Sequence, residues 1–335
     1  MRTGIVTGSL AALIGLGLIL GNNMENGPAP FIMLGIMNGA VFGLVALGLV
    51  LVYKGTRVFN FTQGEFGTVA AYILFFSIDR FDLPYWVGIV FALAFTLLLG
   101  LGVERIFIRP LINAPRVNVL VVTIAIALLL IGLEILIFRI EPESLRSIIS
   151  PVDAAGNANG ITLFDLPIEP QRLLAFGVLV GLGVGLAYFF SRTDLGLAVL
   201  ATSQDAFATR VVGIGVERMS RFIWGAAALL GAIAGILYVP LTGSLTPAVM
   251  TTNILIPAFT GAVLGGMTSL PGAFVGGVVV SIVQTTALWA GGSEAFEIGG
   301  IALSEKIPGI EHISILLVLL IVLLIRPAGL LGKET

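Results

Sequence analysis

Apolar runs of bilayer-crossing length follow one another along nearly the whole of this sequence. Ten can be marked off: 4–21, 31–53, 58–78, 85–108, 117–138, 172–190, 220–240, 254–269, 271–290 and 312–326. A helix rises 1.5 Å per residue, so about 20 apolar residues traverse the hydrocarbon core of a membrane. Runs of this length and number specify an all-α, polytopic integral membrane protein. The composition closes off a soluble fold: 57% of the residues are hydrophobic and only 11% charged, with mean hydropathy +1.09. A soluble domain carries about 25% charged residues to cover its surface. The eighth run is short, and GGMTSLPG at 265–272 reads as a tight turn, so the eighth and ninth runs form a short, broken pair.

Loops on the cytoplasmic side collect lysine and arginine. If the N-terminus is inside, 12 of the 17 cations fall inside: Arg2, Lys54, Arg57, Arg105, Arg109, Arg116, Arg192, Arg210, Arg218, Arg221, Arg326 and Lys333. The other 5 are Arg80, Arg139, Arg146, Arg172 and Lys306, among an outer set of acids that includes Glu141, Glu143, Glu294 and Glu305. Both termini are therefore expected in the cytoplasm. The segment 4–21 has Arg2 as its only early cation and no A-x-A site after it, which favours a retained anchor over a cleaved signal. Residues 1–30 then read as an anchor helix with an outer linker, ahead of one transmembrane domain, 31–335. The longest outer connection, 139–171, contains the turn-rich DAAGNANG and the strand-like ITLFDLPI. A small hairpin and an unstructured loop are both open there.

The costly residues lie in FNFTQGEFG, 59–67. Counted from Val58, Glu65 is about 10 Å along a helix, where a carboxylate is expensive unless it meets water, a partner or a helix N-terminus. Asn60 is a competent N-cap, and Gly64 and Gly67 permit close approach or an unwound turn. Broken helices at membrane depth are tolerated where they line a wet cavity or are buried in protein. Two readings stay open. Asn60, Gln63 and Glu65 line a translocation path or its gate, or they form a structural cap with Glu65 reaching headgroups or Arg57. Gln284 is a further intramembrane polar residue, suited to a bond across helices. Glu134, near the outer end of its run, reads as interfacial. Gly261, Gly265, Gly272 and Gly276 read as tight helix packing.

The connection 191–221 is the longest on the cytoplasmic side and mixes charge with helix-forming residues. Phe207 and Val211 share a face at i, i+4, leaving Gln204 and Arg210 elsewhere. A short projecting helix with no soluble domain of its own suggests docking to a partner rather than a helix resting on headgroups. The sequence has no G-x-x-x-x-G-K-[ST] phosphate loop, no catalytic-triad pattern and no metal-ligand cluster. There is no cysteine, and the one histidine, His312, reads as interfacial. Any ATP-driven step needs another chain.

Five stretches together resemble a known family. They are NGAVFGLVALGLVLVYKGTRVFNFTQGEFGTVAAY, VERIFIRPL, LGLAVLATSQDAFATRVVGI, FTGAVLGGMTSLPGAFVGG and LIRPAGLLGK, in order between about 38 and 333. They resemble the permease subunits of branched-chain amino acid ABC importers, more the first of the two permease types than the second. The resemblance implies a multi-pass permease in a prokaryotic cytoplasmic membrane, which is not itself an enzyme. It implies a second permease subunit, identical or homologous, two ATP-binding subunits carrying ATP and Mg, and an extracytoplasmic solute-binding protein. No cofactor in this chain and no nucleic acid is implied. Ser203, Gln204, Asp205, Phe207, Arg210 and Gly213 would form the coupling helix that docks on the ATPase. Three positions depart from the family: Gln63 stands for a common histidine, Gln204 for an acid and Gln284 for a frequent glutamate. Each puts an amide in place of an ionisable group, so related solutes (urea, short amides, nucleosides) remain alternatives to branched-chain or other hydrophobic amino acids. An ion-gradient-driven carrier is the rival mechanism, and Glu65 is its one deep acid.

Overall fold

The computed structural model describes residues 28–111, 114–150, 160–163, 166–204, 206–292, 307–326 and 329. The expected anchor at 4–21 lies outside the described residues. From Ala29 onward the chain is helical at every apolar run: α1 Ala29–Thr56, α2 Gln63–Asp79, α3 Tyr85–Leu111, α4 Arg116–Phe138, α5 Pro170–Arg192, α6 Asp194–Gln204, α7 Ala206–Val211, α8 Val216–Thr242, α9 Thr251–Gly265, α10 Leu270–Gly292 and α11 Ile310–Ile325. Six of these (α1, α3, α4, α5, α8 and α10) are long and apolar enough to cross a membrane. The helices α9 and α11 are shorter; of the expected short, broken pair only the first member, α9, is short, because α10 runs 23 residues.

The central element is α1. Every residue from Gly39 to Val52 is buried, because helices pack on it from several sides. It ends where Arg57 adopts a left-handed conformation (φ 58°) and its N–H reaches the Tyr53 carbonyl at 2.7 Å. The other largely enclosed span is α8, which packs on α1, α2 and α3. The outer helices are as apolar but mostly uncovered: α4 has a mean hydropathy of 2.9 with 28% of its span buried. A helix that is apolar all round and still exposed is matched to lipid. Val90, Phe91 and Leu98 on α3, Leu128 and Leu136 on α4, and Val184 on α5 form that outward surface.

Glycines set the close crossings. Gly35, Gly39 and Gly43 of α1 lie against Ile282, Val278 and Phe274 of α10. The α9–α10 pair is tighter still, with Gly261, Gly265, Gly272 and Gly276 meeting backbone to backbone as the packing reading expected. Gly266 turns the chain between them at φ 94°, and the Ser269 hydroxyl accepts the Gly272 N–H at 3.1 Å at the start of α10. A Cβ on Gly276 would overlap the Gly261 carbonyl. Since the obstacle is backbone, no rotamer relieves it. Gly276→Val is expected to cost upwards of about 1–3 kcal/mol, measured as a lowered melting temperature of the detergent-purified chain.

Two short strands, β1 Ile161–Leu163 and β2 Leu166–Ile168, pair antiparallel with Thr162 opposite Pro167. The strand-like stretch is therefore a hairpin. The helix ends on this side of the bundle are laced further: Glu143 and Leu245 exchange backbone hydrogen bonds of 3.0 and 2.7 Å. Buried Gln171 accepts from Ile148 N–H and donates to the Leu237 carbonyl.

Candidate functional site

Between α1 and α2 the chain abandons helix for residues 57–62. Backbone groups freed in this way need partners inside the protein, and the polar residues of FNFTQGEFG supply them. Asn60 Oδ1 accepts the Thr62 N–H at 3.0 Å, and Asn60 Nδ2 donates to Gln63 Oε1 at 3.3 Å. Gln63 Nε2 donates to the Ala227 carbonyl of α8 at 2.9 Å. The Thr62 hydroxyl donates to the Thr123 carbonyl of α4 at 3.0 Å, and Thr123 Oγ1 donates back to the Phe59 carbonyl at 3.1 Å. The break is thus clamped between α4 and α8. Asn60 is not the N-cap that its residue type suggested. Thr62 holds that position without a side-chain capping bond, its hydroxyl being spent on Thr123, and Asn60 closes the turn before it. Because this turn consumes Phe59–Thr62, α2 starts at Gln63 rather than at 58.

Gln63 is held as tightly by packing as by its bonds. Gly48 of α1 and Gly231 of α8 leave room for its side-chain amide, and Gly67 rests against the Gly231 carbonyl. Asn60 and Gln63 therefore act on the fold. Glu65 differs. It is fully buried, so it does not reach headgroups, and neither of its carboxylate oxygens has a hydrogen-bond partner among the described residues. It faces Thr251 of α9, Glu134 of α4 and Thr68 of its own helix.

Glu134 corrects the interfacial reading. It is 3% exposed and points into the protein. Its Oε2 accepts the Ala248 N–H at 3.0 Å, while Oε1 has no partner. The cause is the segment after α8. Gly243 turns in the left-handed region (φ 67°), and residues 244–248 run irregularly before the chain re-enters helix, with Ala248 itself at φ 62°. That segment covers Glu134 and brings Met250 N–H onto Thr68 Oγ1 at 3.2 Å. Sequence reasoning missed Thr68, Thr123, Thr251 and Tyr72. The Tyr72 hydroxyl is buried without a partner, its ring stacked on Phe138 at 4.3 Å. Thr123, the one hydroxyl within the apolar run 117–138, carried the visible signal. Glu65, Glu134, Tyr72 and Thr251 thus all present interior polar atoms that make no hydrogen bond among the described residues. Gln284 is not among them. It is half-buried on α10 and makes no hydrogen bond to the Asn60–Gln63–Glu65 group among the described residues.

The connection 191–221 folds largely as α6 and α7. Asp205 lies outside the described residues, and the side chains of Ser203, Gln204 and Phe207 are likewise outside them. Arg210 is exposed, Gly213 turns at φ 85°, and Val211 and Val212 are 72% and 73% exposed.

Residues 31–325 match a protein family described as branched-chain amino acid transport system / permease component. The chain belongs to this family. Among curated relatives it is 27% identical to the high-affinity branched-chain amino acid transport system permease protein BraD of Pseudomonas aeruginosa, over 89% of this chain and 94% of that protein. It is 26% identical to the corresponding permease protein LivH of Escherichia coli K12, over 89% and 94%. A solved structure titled PsaBC from Streptococcus pneumoniae in complex with Fab aligns with a TM-score of 0.45 at 16% identity, over 89% of this chain and 92% of that one.

Among the three amides that the resemblance marked as departures, Gln63 has the fullest set of partners. Its amide donates to Ala227 and accepts from Asn60 in one arrangement, a bridging role that does not call on an ionisable group. The matched span takes in the whole clamped break, the 191–221 loop and the α9–α10 pair.

Proposed function

We propose that this chain is the transmembrane permease subunit of an ATP-driven importer for branched-chain or other hydrophobic amino acids. It moves solute by alternating access, and separate ATPase subunits drive it. The observation that carries this reading is the family match across residues 31–325. The projecting α6–α7 segment supplies a surface for an engine that the chain itself lacks. On this reading both termini are cytoplasmic and 31–335 is the permease domain, with an outer loop at 139–171 and a coupling loop at 191–221. The first 30 residues add an anchor helix. The membrane is the inner membrane of a prokaryote. The partners are a second permease subunit, two ATP-binding subunits carrying ATP and Mg, and an extracytoplasmic binding protein that sets most of the selectivity.

Ser203, Gln204, Asp205, Phe207, Arg210 and Gly213 are assigned to ATPase docking. Glu65, with Asn60 and Gln63 holding its helix start, is assigned to the path or its gate, and Gln284 is kept as a more distant lining residue. Nucleotide-driven closure of the ATPases biases the permease between outward and inward states, which requires each ligand to prefer one state. Asp205→Lys is expected to leave membrane insertion intact while separating ATP hydrolysis from uptake, read by paired hydrolysis and transport assays in proteoliposomes. Copurification of an ATPase subunit with the tagged chain tests the class. Uptake that stops when the ion gradient is dissipated, with ATP still present, would establish a secondary carrier instead. Binding measurements on the partner binding protein separate amino acids from urea, short amides and nucleosides.

A further inference from the structure

Two antiparallel helices, α3 and α8, enclose a groove of about 590 Å³ at one end of the molecule. On α3 its lining is Leu97, Leu101 and Arg105, a stripe at i, i+4, i+8. On α8 it begins with Arg218 and Arg221 and continues through Ala226 and Leu229. Each helix thus presents cation first and hydrocarbon after, and the chain directions bring both cationic ends together. At 1.5 Å per residue the apolar stretch reaches about 12 Å from Arg105 to Leu97. Arg105, Arg218 and Arg221 are exposed and make no ion pair among the described residues. The adjacent acid Glu217 is engaged by Arg109, which also ties the two helix ends together. Gly225 and Gly100 bring the helices close behind the groove.

We propose that this groove holds an anionic phospholipid of the leaflet that the charge distribution assigns to the cytoplasm. The three guanidiniums take the phosphate, and the leucine-lined slot takes the upper part of an acyl chain. Guanidiniums match phosphate oxygens in bidentate geometry. Basic pockets between membrane helices on this side suit such headgroups. A water-soluble phosphate would use the cations and leave the slot unfilled. A protein partner would have to bring both a run of acids and an apolar ridge spaced to match. The lipid carries both parts in one molecule, already oriented by the bilayer.

The test uses the full-length chain in nanodiscs of phosphatidylcholine alone or mixed with phosphatidylglycerol, with melting temperature and retained lipid (native mass spectrometry) as readouts. Phosphatidylglycerol is expected to raise the melting temperature and to copurify. The combined variant Arg105→Gln, Arg218→Gln, Arg221→Gln is expected to weaken retention by on the order of a hundredfold, about fivefold for each arginine. Ala226→Trp, which fills the slot and keeps every charge, is expected to weaken it as well. Unchanged phosphatidylglycerol retention in the arginine variant overturns the proposal. So does an equal thermal shift from inorganic phosphate, or loss of a copurifying protein subunit with lipid retention unaffected.

Discussion

Replacing Val211 and Val212 together by aspartate is expected to lower ATP-driven uptake by on the order of a hundredfold, without lowering the melting temperature of the chain. Both side chains stand nearly three-quarters exposed at the end of α7. The backbone beneath them is fixed: Gly213 N–H reaches the Arg210 carbonyl at 3.0 Å, and Ile214 N–H reaches the Thr209 carbonyl at 3.1 Å. Gly213 takes the left-handed conformation that such a helix stop requires. Two valines held outward on a rigid turn contribute little to the fold, so surface substitution there is within about 0.5 kcal/mol of neutral. They contribute much if another subunit covers them, because burying a carboxylate against an apolar pocket is costly. The assay is solute uptake and ATP hydrolysis in proteoliposomes containing the assembled importer. Uptake at the parental rate would leave these valines resting on headgroups, with no part in docking.

How far the sequence could be read differs by element, for physical reasons. The helices from Ala29 onward were legible because a lipid-exposed helix must be apolar over its whole length, and that is a local property. The α9–α10 turn was legible from GGMTSLPG, since Gly266 sits where only glycine turns easily. The hairpin at 161–168 stayed open in the sequence because its pairing depends on residues across a turn. FNFTQGEFG was visible as an interruption, but not its bonding. Asn60 looked like a cap by residue type, and the true geometry depends on Thr123 and Ala227, far away in the chain.

Glu134 marks the limit. Counting residues along α4 places it near the outer end, and depth alone then suggests an interface. Its real environment comes from residues 243–250, more than a hundred positions later, which fold over it and supply the Ala248 N–H. No periodicity within α4 carries that information. The same fold-over brings Thr251 and Met250 onto α2. A second acid beside Glu65 therefore became apparent only in three dimensions. It changes the reading of the site from one deep carboxylate to a buried pair.

That pair allows the two readings of Glu65 to be told apart by stability and activity together. Glu65→Met keeps the side-chain length and removes two oxygens that make no hydrogen bond among the described residues. An unpartnered buried polar group does not help hold the resting fold, and a shape-conserving apolar replacement is neutral or stabilising. The melting temperature is therefore expected to hold or rise. Uptake is expected to fall at least about tenfold, equivalent to about 1.4 kcal/mol on the transport barrier, because the unsatisfied oxygens are what an opened, hydrated state or a passing solute would engage. Glu134→Met should behave differently. It strips the acceptor from Ala248 N–H, a half-buried donor on a segment already turned at positive φ. The expected cost is about 1–3 kcal/mol, with activity lost alongside the fold. If Glu65→Met instead lowers the melting temperature as far as Glu134→Met does, Glu65 is a cap that ties α2 to α4 and α9, and the transport path lies elsewhere. The double variant sharpens the comparison. Residues in contact should be non-additive in stability, whereas an activity loss that arises from Glu65 alone should, per folded molecule, be no deeper in the double variant than in Glu65→Met.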